Sequence, residues 1–552
     1  MDPRPKHFNS WHHEVIATFL ICMAQFLCQA SITMSLSTMN IVLESFGSHD
    51  SSKQVWFMGS FALTVGTFIL VLGKLGDIFG LKFIFLIGWI WCTLSSLLIG
   101  FSVYVDVTFY IVCRALQGIG FALILPCGLG LLGTIYDKNS RKNLIFGLMG
   151  VNGPVGATIG AIISAVIAQL WWWPWCFWLL SIVCLIFGLL SWFYIPDVNQ
   201  GGIIIEDKTV ETKEIPDLQS FDVININPRY PLTGKETNSN RTSSNSVNSV
   251  STSSSDKPIS FDYLGTILGI SGLILFNFIW NQGPVAGWGQ IYIIVLTIVA
   301  VILIIGFFYV ELKVAKDPLL PRSIFNLKIG LVLLCIGLGW GSFGIWQFYY
   351  WQFLLNLRQY TPIHAGLTYI PFLVGGTVAS LLVSVIISLT KPSYIIAFSS
   401  LCFMSGCLML AKCPIDQSYF QITFGQQIIL CWAMDLSFPA AAIVLSDYLP
   451  IQHQGMAGSL VSTVVNYSVS LFLGVGSVVE LQTMRHVKDI WKSHQAALYF
   501  GTGVAGVGVL FSLVFIGIQR NDNVGVFEQA EYLDEKHGLL AELERQTSRL
   551  IA

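Results

Sequence analysis

Apolar runs of about 18 to 25 residues recur along nearly the whole chain, the length a helix needs to cross a hydrocarbon core of about 30 Å. About fourteen can be placed, over residues 14–38, 54–73, 83–101, 107–135, 144–169, 175–195, 262–281, 289–310, 328–352, 364–388, 393–411, 419–445, 456–479 and 497–518. Composition supports the same reading, since 54% of the 552 residues are hydrophobic and only 11% are Asp, Glu, Lys or Arg. An average soluble chain carries about 25% charged residues, and so few charges could not cover a soluble surface of this size. The chain reads as an all-α polytopic membrane protein. Met1 to Trp11 is polar and the apolar stretch after it is too long for a cleaved signal, so the first span is expected to be retained.

The first six runs are separated from the last eight by residues 197–260, which include "NSNRTSSNSVNSVSTSSS". That tract offers too little apolar area to offset the entropy of ordering and is expected to be disordered. The tail 519–552, with "FEQAEYLDEKHGLLAELERQ", reads as one solvated helix. With the N-terminus inside, thirteen Lys and Arg fall on the inner side and six on the outer side of the short loops. This imbalance places both termini and the long loop in the cytoplasm.

Several function classes lose their support here. The twelve cysteines are scattered singly, with no C-x-x-C and no His partner at ligand spacing, so they read as apolar filler without a disulfide framework or metal site. No G-x-x-x-x-G-K-[ST] loop is present, so no nucleotide is expected to energise the chain directly. Near balance between 29 basic and 31 acidic residues gives no reason to expect nucleic acid. No nucleophile, base and orienting group cluster in a loop, so neither an enzyme nor a cofactor is indicated.

Three short stretches carry more information. In "GKLGDIFGLK", Gly73, Gly76 and Gly80 permit a very tight turn between the second and third spans, ending at Lys82. Asp77 there could cap or face a neighbouring helix N-terminus, or sit in an ordinary polar turn. In "YIVCRALQGIGFA", Arg114 stands well inside an apolar helix, followed by Gln117, Gly118 and Gly120. An intramembrane Arg costs at least about 2.5 kcal/mol, so it should face a protein interior or a water-filled cavity unless it snorkels to a headgroup. In "FGLMGVNGPVGATIGAII", Gly150, Gly153, Gly156, Ala157 and Gly160 fall within a helical arc of about 120°. Another helix can press into that stripe, and Pro154 bends the span. Static small-residue packing is the plainer reading of the same glycines.

These stretches resemble the loop, fourth-span and antiporter fifth-span motifs of the major facilitator superfamily. About fourteen spans, with "FDYLGTILGISGLILFNFIWNQG" and "ELKVAKDPLLP", look like its fourteen-span drug:proton antiporter family. "CQASITMSLSTMNIVLESFGS" and "WPWCFWLLSI" are similar to the fungal branch that includes the aminotriazole-resistance and boron-export proteins. The resemblance implies a major facilitator fold. Its parts would be two six-helix bundles over 14–196 and 328–518, an inserted helix pair over 261–310, and cytoplasmic segments 1–13, 197–260 and 519–552. It also makes the fifth-span stripe a hinge and seal between the halves.

Two departures matter. Ala157 and Thr158 stand where the family pattern has a glycine pair, and Gln29 in "LCQASI" stands where many relatives carry an Asp. Gln cannot titrate, which leaves Asp435 in "CWAMDLSFPAAA" as the intramembrane carboxylate. Glu14, Asp262, Glu311 and Glu480 lie near predicted span ends, where solvation should leave them ordinary. Expected cavity groups are Gln25, Gln29, Arg114, Asn152, Gln347, Tyr350, Trp351, Asp435 and Asn466, with Trp340, Trp346 and Tyr349 as aromatic walls. Such a set suits small polar uncharged solutes or flat heterocycles better than phosphorylated metabolites, which need several cations.

The resemblance therefore implies a monomeric secondary transporter in the lipid bilayer that handles a small molecule and protons. Proton-coupled efflux of toxic solutes leads, with uptake of a small polar nutrient or iron chelate as the alternative and a non-transporting sensor third. The plasma membrane is the expected location, with the vacuolar membrane as the alternative. On this topology the sequon Asn240-Arg241-Thr242 never reaches a lumen. Glycosidase treatment should leave the electrophoretic mobility of the full-length protein unchanged, and a glycan at Asn240 would overturn the orientation.

Overall fold

The computed structural model describes residues 5, 7–8, 10–48, 50–136, 140–197, 261–315, 317–449 and 456–551. The expected disordered tract beyond Asp197 and the Asn240 sequon lie outside the described residues, and side chains of the tail are described only to Arg520. Among the described residues, fourteen helices are long and apolar enough to cross a membrane: α1 Trp11–Ser37, α2 Ser51–Phe79, α3 Leu81–Tyr104, α4 Val107–Ile135, α5 Leu144–Leu170, α6 Pro174–Tyr194, α7 Tyr263–Gly283, α8 Ile291–Val314, α9 Leu327–Leu357, α10 Pro362–Val383, α11 Pro392–Ala411, α12 Ile422–Tyr448, α13 Ala457–Val487 and α14 Ile490–Arg520. No β-strand occurs among the described residues.

Local chemistry sets the helix ends. Ser10 Oγ accepts from His13 N at 3.1 Å and Asp106 Oδ1 from Phe109 N at 2.7 Å, each satisfying an orphan donor of a first turn. Pro174, Pro362 and Pro392 stand in first turns, where a missing N–H costs nothing. Between α2 and α3 the chain turns on Gly80 alone, at φ 101°, a conformation open to glycine and costly for other residues. α13 runs eight residues beyond its expected end at 479, through the polar segment "LQTMRHV", and stops where Lys488 adopts φ 55°. Hydropathy alone does not register such a polar extension.

The packing repeats. α1 lies on α5, α2 and α3 on α4, and α3 on α6; eight spans later, α9 lies on α13, α10 and α11 on α12, and α11 on α14. The two sets meet along α2–α13 and α5–α10, pairs that interchange under the same shift. α7 and α8 pack on each other, and α7 also rests on α13 and α2. Lys74 Nζ of α2 reaches past α8, donating to the carbonyls of Asp317 at 3.1 Å and Pro318 at 3.2 Å.

Because direction alternates, the Trp11 end of α1 and the Phe79 end of α2 share one face, here the near face; the Ser37 and Ser51 ends share the far face. From Ala30 to Ser37, α1 is buried on every side, and so is α9 from Gly341 to Leu355. These far halves touch, whereas α4 and α12, their counterparts toward the near face, do not pack on one another. Gln25, Gln29, Gly150, Asn152, Gly153, Asp435 and Asn466 retain exposure on the near side of these buried segments. The molecule is closed at the far face and open toward the near face.

Candidate functional site

Arg114 is fully buried, at 0% exposure. Its Nε donates to the Phe57 carbonyl of α2 at 3.1 Å, Nη1 to Ser31 Oγ at 2.7 Å and Nη2 to Ser35 Oγ at 3.2 Å. Nη1 also donates to Gln117 Oε1, and the guanidinium lies 4.6 Å from the centre of the Phe61 ring. Gln117 extends the network by donating to Ser96 Oγ of α3 at 2.8 Å. Ser31 and Ser35 are four apart, so one face of α1 presents both acceptors. No carboxylate takes part; neutral dipoles and a ring face solvate the charge, and Arg114 together with Gln117 ties α1, α2, α3 and α4. Arg114 was expected to face a cavity, but it is sealed inside the first set of helices.

The second set holds an uncharged counterpart. Trp346 Nε1 of α9 donates to Gln426 Oε1 of α12 at 3.1 Å, and Gln427 Nε2 donates to Tyr350 Oη. Trp351 packs on Tyr369 with ring centres 5.1 Å apart. Gln347, Tyr350 and Trp351, expected to line a cavity, are buried within the closed far half of α9 instead. From Gly341 to Leu355 no side of α9 is left open in this arrangement.

Asn152 and Asn466 occupy equivalent helices, α5 and α13. Each donates to the carbonyl four residues back, Leu148 at 2.9 Å and Ser462 at 3.0 Å, which orients the amide oxygen outward from a half-exposed position. Gln25 Nε2 comes 3.9 Å from where a Gly153 Cβ would sit. Asp435 Oδ2 is buried without a hydrogen-bond partner, 3.2 Å from where a Gly376 Cβ would sit on α10. The Pro154 ring of α5 presses on the same glycine, so Asp435 stands behind the α5–α10 contact. Arg114 makes all its hydrogen bonds on α1, α2 and α4, so the two ionisable groups do not meet.

The fifth-span glycines divide between two neighbours. A Cβ on Gly156 would collide with the Phe26 carbonyl, and one on Gly160 would lie 2.5 Å from Ala30 Cα, both on α1. Gly150 instead lies against Ser380 of α10 at 3.6 Å, and Gly153 has no neighbour closer than 3.9 Å. Thr158, where the family pattern has a glycine, donates to the Tyr369 carbonyl of α10 at 3.1 Å. Ala157 accepts from Thr33 Oγ1 of α1 at 2.7 Å.

At the near face, Gly76 lets α2 approach Cys127 of α4, and Gly73 lies beside Ser459 of α13. Asp77, one turn further, is exposed and makes no hydrogen bond or ion pair among the described residues. Residues 450–455, which lead into α13 and any cap there, lie outside them. Lys82 pairs with exposed Asp197 at 3.2 Å, a surface contact of small energetic weight.

Several acids expected to be ordinary are buried or half-buried against partners. Glu14 accepts from Arg141 Nη1 and Tyr136 Oη, each at 3.1 Å. Glu311 is 1% exposed and accepts the backbone N–H groups of Leu319 and Leu320 at 3.2 Å each. Glu480 meets Tyr349 and His494. Position relative to a span end does not reveal a partner that a neighbouring helix supplies; the Glu/Arg and Glu/His pairs were the available signal.

Two repeating sets of six membrane-spanning helices with a further pair between them in sequence, open at one face, define an integral multi-pass membrane transporter rather than an enzyme. The chain belongs to the Major Facilitator Superfamily, whose family model matches residues 21–474. It is 40% identical to the aminotriazole resistance protein of Saccharomyces cerevisiae over 517 residues, 93% of this chain and 85% of that one. It is 36% identical to the low affinity ammonium transporter of the same yeast, covering 93% and 90%. Efflux pump terJ of Aspergillus terreus is 33% identical, covering 92% and 89%. Among solved structures, the human organic anion transporter TETRAN superposes with a TM-score of 0.57 at 13% identity, over 90% of this chain and 99% of that one, a likeness of fold.

The divided stripe yields a paired test. Gly156→Ala should destabilise the purified protein by about 1–3 kcal/mol through overpacking on α1, while Gly153→Ala should leave its thermal unfolding unchanged. Equal effects at the two positions would contradict the packing described.

Proposed function

We propose that the chain is a proton-coupled exporter of small polar or flat heterocyclic solutes, of the fourteen-span drug:proton antiporter type and the aminotriazole-resistance branch. The observation that carries this reading is an opening at the near face alone, bordered by the neutral amides Gln25, Gln29, Asn152 and Asn466 and one carboxylate, Asp435. Amides recognise neutral donors and acceptors, and a site without clustered cations gives phosphorylated solutes little purchase. With the near face taken as cytoplasmic, as the Lys and Arg distribution favours, an opening there receives solute from the cell. A monomer in the plasma membrane suffices.

Transport proceeds by rocking residues 14–196 against residues 328–518 about the α2–α13 and α5–α10 seams, with 261–310 riding on the first of these. Asp435 carries the proton: rocking changes how closely Pro154 and Gly376 cover its carboxylate, and so how well it is solvated. The glycine motif from Gly73 to Lys82 keeps the near ends of α2 and α3 compact as they move, with Asp77 facing the start of α13. The names of the resistance protein and the efflux pump among the relatives support the outward direction.

The ammonium transporter among the relatives favours a second reading, uptake of a small polar nutrient, with Asp435 as the group that attracts a cation. Growth tests separate the two. Overexpression in a strain lacking the gene should raise tolerance to aminotriazole or boric acid, and deletion should lower it. Increased sensitivity to these compounds or to methylammonium on overexpression would contradict export.

A further inference from the structure

Beneath the far closure, the second set of helices holds an ionisable cluster apart from Asp435, with Glu480 half-buried between a buried tyrosine and a buried histidine. Tyr349 Oη of α9 donates to Glu480 Oε2 of α13 at 2.6 Å, and His494 Nε2 of α14 lies 3.3 Å from Glu480 Oε1. Tyr349 is fully buried, His494 is 4% exposed, and their ring centres are 5.2 Å apart. His494 Nδ1 is buried without a hydrogen-bond partner. The other ionisable groups toward the far ends of the packed elements include Arg358 just past α9, Cys407 of α11 and Lys412 just past it, Arg485, His486 and Lys488 at the end of α13, and Asp489, Lys492 and Tyr499 at the head of α14. Of these only Cys407 is buried, and the charged ones sit at the far rim. Intramembrane Glu and His in contact are rare and mark proton pathways more often than packing.

One turn beyond Tyr349, α9 makes the far closure itself. Gln352 Nε2 donates to Gln54 Oε1 of α2 at 2.7 Å, and Gln54 Nε2 donates to Asn40 Oδ1 at 2.9 Å. Asn40 Nδ2 then donates to Asn356 Oδ1 at 2.6 Å, and Asn356 Nδ2 returns to Gln352 Oε1. Four neutral amides thus form a closed ring between the two halves. Asn356 lies in a π-helical turn, Phe353–Leu357, a departure from regular helix that recurs at functional sites.

We propose that Glu480 and His494 form a proton-binding site that controls the far amide ring through α9, with Tyr349 as the positioning residue. A proton arriving from far-side water bonds to a Glu480 carboxylate oxygen and cancels its charge; no other covalent bond changes. Tyr349 then donates to a neutral acid, a hydrogen bond about half as strong as one to a carboxylate, and its grip on α9 relaxes. His494 Nε2, in contact with the other carboxylate oxygen, is the group through which the proton reaches Glu480. Because the ring contains no charge, its amides exchange one another for water without separating ions. The closure therefore responds to the proton bound beneath it rather than to salt.

This inference rests on the proton-coupled reading above, and its test separates the two. Spin labels at Tyr104→Cys and Phe420→Cys, exposed by 70% and 77% on opposite halves of the far face, report far-side opening against a background of buried native cysteines. In the otherwise unaltered protein the label distance should lengthen as pH falls from about 8 to 5. Glu480→Gln should hold the long distance throughout, His494→Gln should shift the pH at which it changes, and Tyr349→Phe should abolish the response. A normal pH response in Glu480→Gln and Tyr349→Phe would overturn the proposed site alone. Failure of an imposed pH gradient to drive labelled aminotriazole across proteoliposomes bearing unaltered protein would overturn the coupling reading itself.

Discussion

A single guanidinium organises the first half of this molecule. Arg114 is fully buried with no counter-ion among its contacts. A charge so placed costs several kcal/mol unless its surroundings supply acceptors. Two serines, a glutamine, a backbone carbonyl and an aromatic face provide them, each from a helix that must hold its register for the set to close. The requirement runs both ways: the helices solvate the charge, and the charge fixes the helices. The second half ties α9 to α12 through glutamine, tryptophan and tyrosine, with no charge at the equivalent place. One half is thus held by an obligatory polar hub and the other by exchangeable neutral hydrogen bonds, with its ionisable groups elsewhere.

Two such sets can move against each other only where their contact is smooth or weakly bonded. Glycine supplies the first condition, with Gly66 of α2 under the backbone of Tyr467 and Gly376 of α10 under Pro154. Neutral amides supply the second, in the ring that joins Asn40 and Gln54 to Gln352 and Asn356. α7 and α8 restrain one seam only: Ser470 Oγ bridges the Gly59 carbonyl of α2, at 2.8 Å, and the Asn277 side-chain amide of α7, at 3.1 Å. The α5–α10 seam carries no such brace, so the two sides of the molecule are unequal in freedom.

Much of the fold was legible in the sequence, because a membrane leaves helices as the means of satisfying backbone polar groups and run length then counts them. The glycines after residue 146 announced close packing, and Arg114 announced a protein interior. What could not be read was the partner. The stripe serves α1 at Gly156 and Gly160 but α10 at Gly150, a division of about one helical turn that depends on how neighbours are arranged. Arg114 looked like a cavity group because its acceptors beyond its own helix come from α1 and from a backbone carbonyl of α2. Glu480 and His494 were missed because hydropathy ended α13 at residue 479 and started α14 at 497, whereas both helices continue through polar sequence and bring the pair together.

The account stands on an opening at the near face closed off from the far face, and accessibility to a membrane-impermeant thiol reagent tests it most directly. With the native cysteines buried, Gln25→Cys in vesicles of known orientation provides a single reporter near the middle of α1. The account predicts modification when reagent is applied at the face bearing Trp11, and protection when it is applied at the face bearing Ser37. Ready modification from the Ser37 face alone would contradict it.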